Sequence, residues 1–302
     1  MKLLAKYLRS FYRGATTLVL FLALLSSGLV YAEAPAIYFQ AHRGGLDERP
    51  ENTLAALNYA WKIPGAVPEL DVRTTQDGVL VCIHDRTPKR TTDAPLEWAG
   101  KNIRAIPYAM LRTWDAGSHF DRAYAGERVP RLDAVLDLLA ADPARQLYLD
   151  LKDVDNAQVI AMIKAKKVTG QVIFVHGSPA ACLVLSTSWP GARTMTWLGG
   201  SPEKIPSRFR ELAETKFAGI DQIQLHLKPA EAGGPGSYQM GEAFLKEAVA
   251  TTREMGVTLQ VRPFVFDSNS LRALIDAGIH WYVADAPKAL RDSIESALRN
   301  EE

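Results

Sequence analysis

Residues 67–85 read VPELDVRTTQDGVLVCIHD, two apolar runs of β type separated by an Asp-Gly pair. An Asp-Gly pair followed at once by an apolar run is typical of a β-hairpin turn. In a regular βα repeat a helix would follow the first run instead. The stretch therefore predicts a strand that returns on itself, with acidic and imidazole side chains near the ends of its two arms.

Outside this stretch, short β-branched or aromatic runs alternate with helical segments, which is typical of βα units around a parallel sheet. The predicted strands are residues 37–41, 67–72, 146–151, 172–175, 193–197, 219–225, 258–261 and 281–284. The predicted helices include residues 53–62, 132–141, 157–166, 241–255, 268–277 and 287–299. This number of strands predicts an α/β fold, a closed TIM-like (β/α)8 barrel. An open doubly wound sheet would show the same alternation, but no GxGxxG motif follows the first strand.

A long segment, residues 86–130, follows the hairpin without βα periodicity and is rich in Thr, Pro, Gly and Trp. Loops of this length within a compact domain are usually functional. We interpret the segment as a small insertion after strand two that covers the barrel mouth.

The first 32 residues have the order of a secretory signal peptide: basic residues, an apolar run over residues 15–25, and small residues ending at Ala32. The apolar run is shorter than the roughly 20 residues of a spanning helix, so an uncleaved anchor is the less favoured alternative. We expect cleavage after Ala32, a catalytic domain over residues 33–302 without a stable membrane span, and a periplasmic or secreted location. The basic residues are Lys2, Lys6, Arg9 and Arg13.

The charge balance argues against nucleic acid or anionic lipid as a general partner. The leader holds four of the 35 basic residues and none of the 34 acidic ones, so the remaining chain has a formal charge of −3. Its two cysteines, Cys82 and Cys182, are compatible with a disulfide in an exported protein or with buried thiols. The absence of a CxxC or CxxH pattern around them argues against a structural zinc site.

Polar side chains cluster where the predicted strands end. Glu69 and Asp71 lie two residues apart on strand two and share a face, as do Asp150 and Lys152 on strand three. In a TIM barrel the carboxyl ends of the strands form one rim, at which catalytic residues meet. A hairpin turn at residues 76–77 would pair residues whose numbers sum to about 153, and would set Glu69 opposite His84.

Three converging carboxylates without a thiol favour a hard cation, Mg²⁺ or Ca²⁺, over zinc. Without a cation, such close negative charges would raise one another's pKa. The alternative is a set of ordinary strand ends, neutralised by Arg43 and Lys152.

Two histidines, His42 and His84, end strand one and the hairpin at the same predicted rim. A lone histidine there is often a hydrogen-bonded core residue. Two of them beside carboxylates and basic groups instead form a general acid and base around a phosphate-sized gap, which is the arrangement that slow phosphate ester hydrolysis requires.

A series of short motifs occurs in one order and spacing, and together they resemble the glycerophosphodiester phosphodiesterase family. The motifs are His42-Arg43-Gly44, Pro50-Glu51-Asn52-Thr53, Glu69-Leu70-Asp71-Val72, Thr75-Gln76-Asp77-Gly78, His84-Asp85, Arg90-Thr91-Thr92, Asp115-Ala116-Gly117, Val129-Pro130-Arg131-Leu132 and Asp150-Leu151-Lys152. The resemblance is dense over residues 41–153 and looser beyond.

The resemblance implies a TIM-barrel hydrolase that cleaves small-molecule glycerophosphodiesters to glycerol phosphate and an alcohol. The attacking group would be a glycerol hydroxyl, giving a cyclic phosphate first, or water. By position, the implied roles are catalytic acid and base for His42 and His84, ligands of one divalent cation for Glu69, Asp71 and Asp150, phosphate binding for Arg43 and Lys152, and support of the loop after strand one for Glu51 and Asn52.

Three departures from the family pattern leave the substrate preference open. Asp150 stands where Glu is usual, residues 261–264 read VRPF where a Trp-Thr-Val type sequence is usual, and Ala284 precedes Asp285 where Thr is common. Two alternatives remain beside the hydrolase. One is a lyase on phospholipid head groups, as in the sphingomyelinase D-like relatives, and the other is a non-catalytic barrel that binds phosphate-containing ligands.

Overall fold

Parallel strands close into a barrel in the computed structural model, which describes residues 36–230 and 238–299. The strands are β1 (Tyr38–Ala41), β2 (Ala66–Thr74), β3 (Leu80–Cys82), β4 (Leu147–Leu151), β5 (Val172–Val175), β6 (Arg193–Leu198), β7 (Gln222–Leu227), β8 (Thr258–Pro263) and β9 (Trp281–Ala284). All except β3 are parallel to their neighbours in the ring, and β1 pairs with both β2 and β9. The predicted TIM-like barrel is confirmed.

Helices connect the strands on the outside of the barrel. In the described residues they are α1 (Leu54–Ala60), α2 (Leu96–Ala99), α3 (Tyr108–Leu111), α4 (Leu132–Ala140), α5 (Asn156–Lys166), α6 (Pro179–Ser188), α7 (Ile205–Glu214), α8 (Glu242–Glu254), α9 (Ser268–Asp276) and α10 (Pro287–Arg299). The sequence had not assigned α6 and α7. The side-chain oxygen of Ser178 accepts a hydrogen bond from Ala181 N at the start of α6, as expected of an N-cap serine.

The barrel strands bury both faces, so the core lies in two layers. Side chains that point outward pack against the helices, as Leu149 and Phe174 do against Leu132 and Leu136 of α4 in one continuous cluster. Side chains that point inward fill the barrel, where a smaller cluster contains Val67, Tyr148, Ile173, Val175 and Met195. Because successive residues of a strand alternate between these layers, residues two apart near a strand end point to the same side.

Strand β7 begins later than predicted. The sequence predicted a strand over residues 219–225, whereas β7 runs from Gln222 to Leu227. The residues before it form a tight turn in which Lys216, Phe217 and Gly219 all have positive φ angles. This left-handed backbone is incompatible with an extended strand, and it delays the entry into the sheet.

The predicted hairpin is present as β2 and β3, but its register differs from the expected one. Val72 pairs with Cys82 and Thr74 with Leu80, so paired residue numbers sum to 154, and the ladder ends at Val72. The turn passes through Gly78, which has a φ of 79°. The expected pairing of Glu69 with His84 is therefore wrong.

The segment over residues 86–130 is a folded insertion that shares a hydrophobic cluster with the hairpin. Ile103, Ile106, Leu111 and Trp114 pack with Val81 and Ile83, the residues of the hairpin that precede His84. The insertion contains α2 and α3 and is joined to the hairpin at its end, where Cys82 N donates to Pro130 O at 2.9 Å. The packing thus couples the insertion to the arm that carries His84.

Both cysteines are buried as free thiols, so the disulfide that the sequence left open is absent. Cys82 and Cys182 belong to different hydrophobic clusters. The predicted signal peptide, residues 1–32, lies outside the described residues. Within the ranges that the structure describes, every helix is too short or too polar to cross a lipid bilayer.

Candidate active site and metal centre

Three carboxylates from two neighbouring strands meet inside the barrel mouth. Glu69 and Asp71 share one face of β2, and the register of β2 with β4 sets Asp71 beside Asp150. One carboxylate oxygen from each of the three lies within 4.8 Å of the other two. Glu69 and Asp71 are almost fully buried, and Asp150 is partly buried. The sequence thus predicted correctly that these three groups converge.

The close approach of these groups alters their protonation. Burial, followed by the charges of Asp71 and Asp150, raises the pKa of Glu69 well above its ordinary value. Burial also raises the pKa of Asp150. Asp71 behaves differently: burial opposes its ionisation, but the charge of Lys152 and other nearby donors lower its pKa overall. The cluster therefore has more negative charge than the protein neutralises.

An all-oxygen donor set of this kind fits a hard divalent cation such as Mg²⁺ or Ca²⁺. The raised pKa of Glu69 supports the fit, because a bound cation would stabilise the ionised form that the cluster otherwise disfavours. Glu69, Asp71 and Asp150 are the residues that could hold such an ion.

Lys152 lies within the carboxylate cluster. Its Nζ is 2.6 Å from Asp150 Oδ2 and 3.0 Å from Asp71 Oδ1. The sequence predicted a phosphate-binding role for this lysine. The structure places its ammonium group in direct contact with two of the carboxylates. Its ammonium group partly offsets their charge.

The turn after β1 supports the cluster from a second side. Arg43 has a positive φ of 53°, and its backbone N–H donates to Glu69 Oε2 at 2.6 Å. Asn52, with a φ of 58°, forms a reciprocal pair with Asp71: its Nδ2 donates to Asp71 Oδ2 at 2.9 Å, and its Oδ1 accepts from Asp71 N at 2.8 Å. These hydrogen bonds hold two of the three carboxylates in place.

Glu51 links two arginines that sequence reasoning had not connected. It accepts from Arg43 Nη1 at 3.1 Å and from Arg90 at 2.6 and 2.8 Å. Arg90 also donates to Asp85 at 2.8 and 3.0 Å, and Asp85 Oδ1 is 2.7 Å from His84 Nδ1. The hydrogen bonds from Arg90, against the opposing effect of burial, keep the pKa of Asp85 far below its ordinary value. An ionised carboxylate therefore holds His84.

His42 is held in the same manner from the far end of the chain. Its Nδ1 is 2.6 Å from Asp285 Oδ1, and Arg262 Nη2 donates to the two Asp285 oxygens at 2.8 and 3.0 Å. Although burial acts in the opposite direction, the hydrogen bond from His42 and the charge of Arg262 lower the pKa of Asp285 to about 2. Burial, aided by the charges of Arg262 and Arg43, lowers the pKa of His42, although Asp285 opposes this.

The imidazole rings of His42 and His84 are thus held in the same way. Each directs Nδ1–H to an ionised aspartate, which leaves Nε2 as the ring atom available for proton exchange. Arg262 lies in the segment 261–264, and Asp285 follows Ala284. Both segments depart from the family pattern. No local signal connects them to His42, because 243 residues separate His42 from Asp285.

The comparisons with known proteins identify the family. The model of the glycerophosphoryl diester phosphodiesterase family matches residues 42–289, and the chain belongs to that family. A glycerophosphodiester phosphodiesterase of Bacillus subtilis is 26% identical over 257 residues, which are 79% of this chain and 80% of that protein. Another, from Caldanaerobacter subterraneus, is 40% identical over 100 residues, but these cover 33% of this chain and only 39% of that relative.

A solved structure shows the same architecture. The crystal structure of a glycerophosphodiester phosphodiesterase from Agrobacterium tumefaciens superimposes with a TM-score of 0.65 at 25% sequence identity. The match covers 85% of this chain and 99% of that one.

The charge of Glu69 should destabilise the folded protein without a cation and stabilise it when a cation is bound. Because the folded state raises its pKa, ionising Glu69 costs stability as the pH rises above its ordinary value of 4.5. The variant Glu69→Gln should therefore melt at a higher temperature than wild type at pH 7 in the presence of a chelator. With Mg²⁺ or Ca²⁺ at 100 times its Kd, wild type should gain about 2.7 kcal/mol and the variant much less.

Scanning calorimetry with stepwise addition of each ion measures both effects. Glu242→Gln is the matched control, since that carboxyl is exposed on α8 and should leave the ion response intact. An equal response to the ion in Glu69→Gln and wild type would remove Glu69 from the metal site.

Proposed function

We propose that this chain is a phosphoric diester hydrolase that cleaves glycerophosphodiesters to glycerol phosphate and an alcohol. The observation that carries the proposal is the combination of three clustered carboxylates with two histidines, each held by an aspartate. Family relatives that are named glycerophosphodiester phosphodiesterases support it.

His42 is suited to the role of general base. Burial keeps it neutral to lower pH than an ordinary histidine, and Asp285 occupies Nδ1, so the lone pair of Nε2 can accept a proton. His84 Nε2 would then give a proton to the oxygen of the departing alcohol as its bond to phosphorus breaks. The attacking hydroxyl, from water or from the glycerol itself, loses its proton to His42 as the new bond to phosphorus forms. Attack by the glycerol hydroxyl gives a cyclic phosphate, which water must then open to release glycerol phosphate.

The phosphate group would be held by the positive charges around the cluster. Arg43 Nε lies 3.7 Å from Asp71 Oδ2, so the guanidinium of Arg43 contributes positive charge beside the carboxylates. Lys152 offers a second cationic group at the same place. A divalent cation bound by Glu69, Asp71 and Asp150 would supply further positive charge to the phosphoryl oxygens.

The two histidines should each be essential to turnover. Replacing His42 or His84 by Ala should lower kcat on glycerophosphodiesters by roughly 10²- to 10⁴-fold, because each substitution removes one proton transfer. His280→Ala is the control, since His280 precedes β9 at the opposite end of the barrel. Circular dichroism verifies folding, and near-normal turnover in either active-site variant would exclude that residue.

The products of the same assays separate the hydrolase from a lyase. Release of free glycerol phosphate supports hydrolysis, whereas a stable cyclic phosphate as the end product would favour the lyase. Binding without turnover, for any glycerophosphodiester and either cation, would favour the non-catalytic barrel.

Arg262 should control the pH dependence of the reaction. Its charge lowers the pKa of His42, so the base stays neutral and active to lower pH. In Arg262→Met, Asp285 faces His42 alone and favours the protonated ring, so the acid limb of kcat/KM should move to higher pH. Arg210→Met is the control, because that arginine pairs with Glu247 on the surface. An unmoved acid limb would contradict the role of His42 as base.

We further propose that the mature chain acts outside the cytoplasm, in the periplasm or the medium. The basic and apolar order of residues 1–32 supports this. Fractionation of cells that express the full chain should recover the protein outside the cytoplasm, and N-terminal sequencing should begin at Glu33. Recovery of the intact chain from the cytoplasm would contradict the proposal.

A further inference from the structure

Three aromatic rings form a continuous row at the barrel mouth. Trp197 near the end of β6 stacks on His226 of β7, with 5.3 Å between ring centroids and 4° between planes. His226 in turn meets Phe264, just after β8, edge to face at 5.4 Å. We call Trp197, His226 and Phe264 the aromatic row.

The register of the strands directs this row into the same mouth as the carboxylates. Trp197 pairs with Gln224, so it shares a face with His226 two residues further on. His226 pairs with Arg262, whose guanidinium reaches Asp285 and His42. In the ring of strands, β7 lies four strands from β2 in either direction, and β8 likewise from β4. His226 and the end of β8 therefore lie across the mouth from the carboxylates, and Trp197 on β6 lies two strands from β4.

The close packing of the rings requires glycine at two neighbouring positions. A Cβ on Gly177 would lie 2.9 Å from Trp197 Cζ2, and one on Gly199 would lie 2.5 Å from His226 Nδ1. The outer members of the row nevertheless remain open to solvent, since Trp197 is 38% and Phe264 45% exposed. The row is thus a well-supported apolar surface with free area at the barrel mouth.

The charges at the row are unfavourable to a cation. Burial, followed by the charges of Arg262 and His42, lowers the pKa of His226 to about 4, so the surroundings of this ring disfavour positive charge. Arg262 itself lies with its guanidinium carbon 5.0 Å from the Phe264 ring centroid. A second cation that approached this ring would meet that guanidinium, whose charge Asp285 offsets in part.

We propose that the aromatic row binds the alcohol group of the phosphodiester and favours an uncharged, apolar alcohol over a cationic one such as choline. This inference rests on the proposed hydrolase activity. It adds to that activity a preference among substrates, set by residues that take no part in proton transfer or in holding the cation.

Two esters of glycerol phosphate that differ only in charge test the proposal. One carries choline and the other 3,3-dimethylbutanol, which has the same shape with carbon in place of the quaternary nitrogen. Wild type should have the higher kcat/KM on the dimethylbutyl ester. In Phe264→Ala and Trp197→Ala this preference should fall by roughly two- to tenfold, the range expected for the loss of one aromatic contact.

Tyr38→Ala is the matched control, because Tyr38 is an aromatic side chain of similar exposure, 42%, at the opposite end of the barrel. This variant should keep the wild-type ratio of the kcat/KM values on the two esters. A preference for the choline ester, or a ratio that neither Phe264→Ala nor Trp197→Ala changes, would overturn the inference. If neither ester were hydrolysed, the proposed activity would be refuted instead. Calorimetry on the same two esters would then give the ratio of their Kd values and decide whether the aromatic row prefers the uncharged alcohol.

Discussion

The electrostatic repulsion among Glu69, Asp71 and Asp150 is the constraint on which the surrounding structure depends. Strand register forces these carboxylates together in a buried place, where like charges are costly. Three donors contact the carboxylates: the ammonium group of Lys152, the backbone N–H of Arg43, and the side-chain amide of Asn52 in the loop after β1. Burial, followed by the charges of Asp71 and Asp150, nevertheless raises the pKa of Glu69, so a bound cation would stabilise the ionised cluster.

The parts of the molecule that follow from local pattern were predictable from the sequence. Alternation of short β-type runs with helical segments indicated the barrel, because each βα unit has its own apolar periodicity. The convergence of Glu69 and Asp71 with Asp150 followed from two simple facts. Residues two apart on a strand share a face, and parallel strands end at one rim. Neither inference requires knowledge of contacts between distant parts of the chain.

The parts that depend on distant contacts were not predictable in this way. The hairpin register was off by one residue, because the ladder of β2 and β3 is set jointly by the turn and by the packing of the insertion. Asp285 and Arg262 reach His42 only when the first and last strands of the barrel pair. The contact of Glu51 with Arg90 likewise spans the hairpin. Such partners carry no local periodicity, so only the closed fold shows that they belong to the site.

The way in which the insertion is attached to the barrel has an evolutionary consequence. Its C-terminal end lies beside β3, since Val81 forms a β-bridge with Arg131 and Cys82 N donates to Pro130 O. Because the insertion leaves the barrel after the hairpin and returns beside β3, its outer part can be lengthened, shortened or exchanged without disturbing the strand order, provided that Arg90 keeps its contacts with Glu51 and Asp85. Descendants of one ancestral barrel could in this way acquire insertions of different size while the carboxylates and histidines keep their places on the strands.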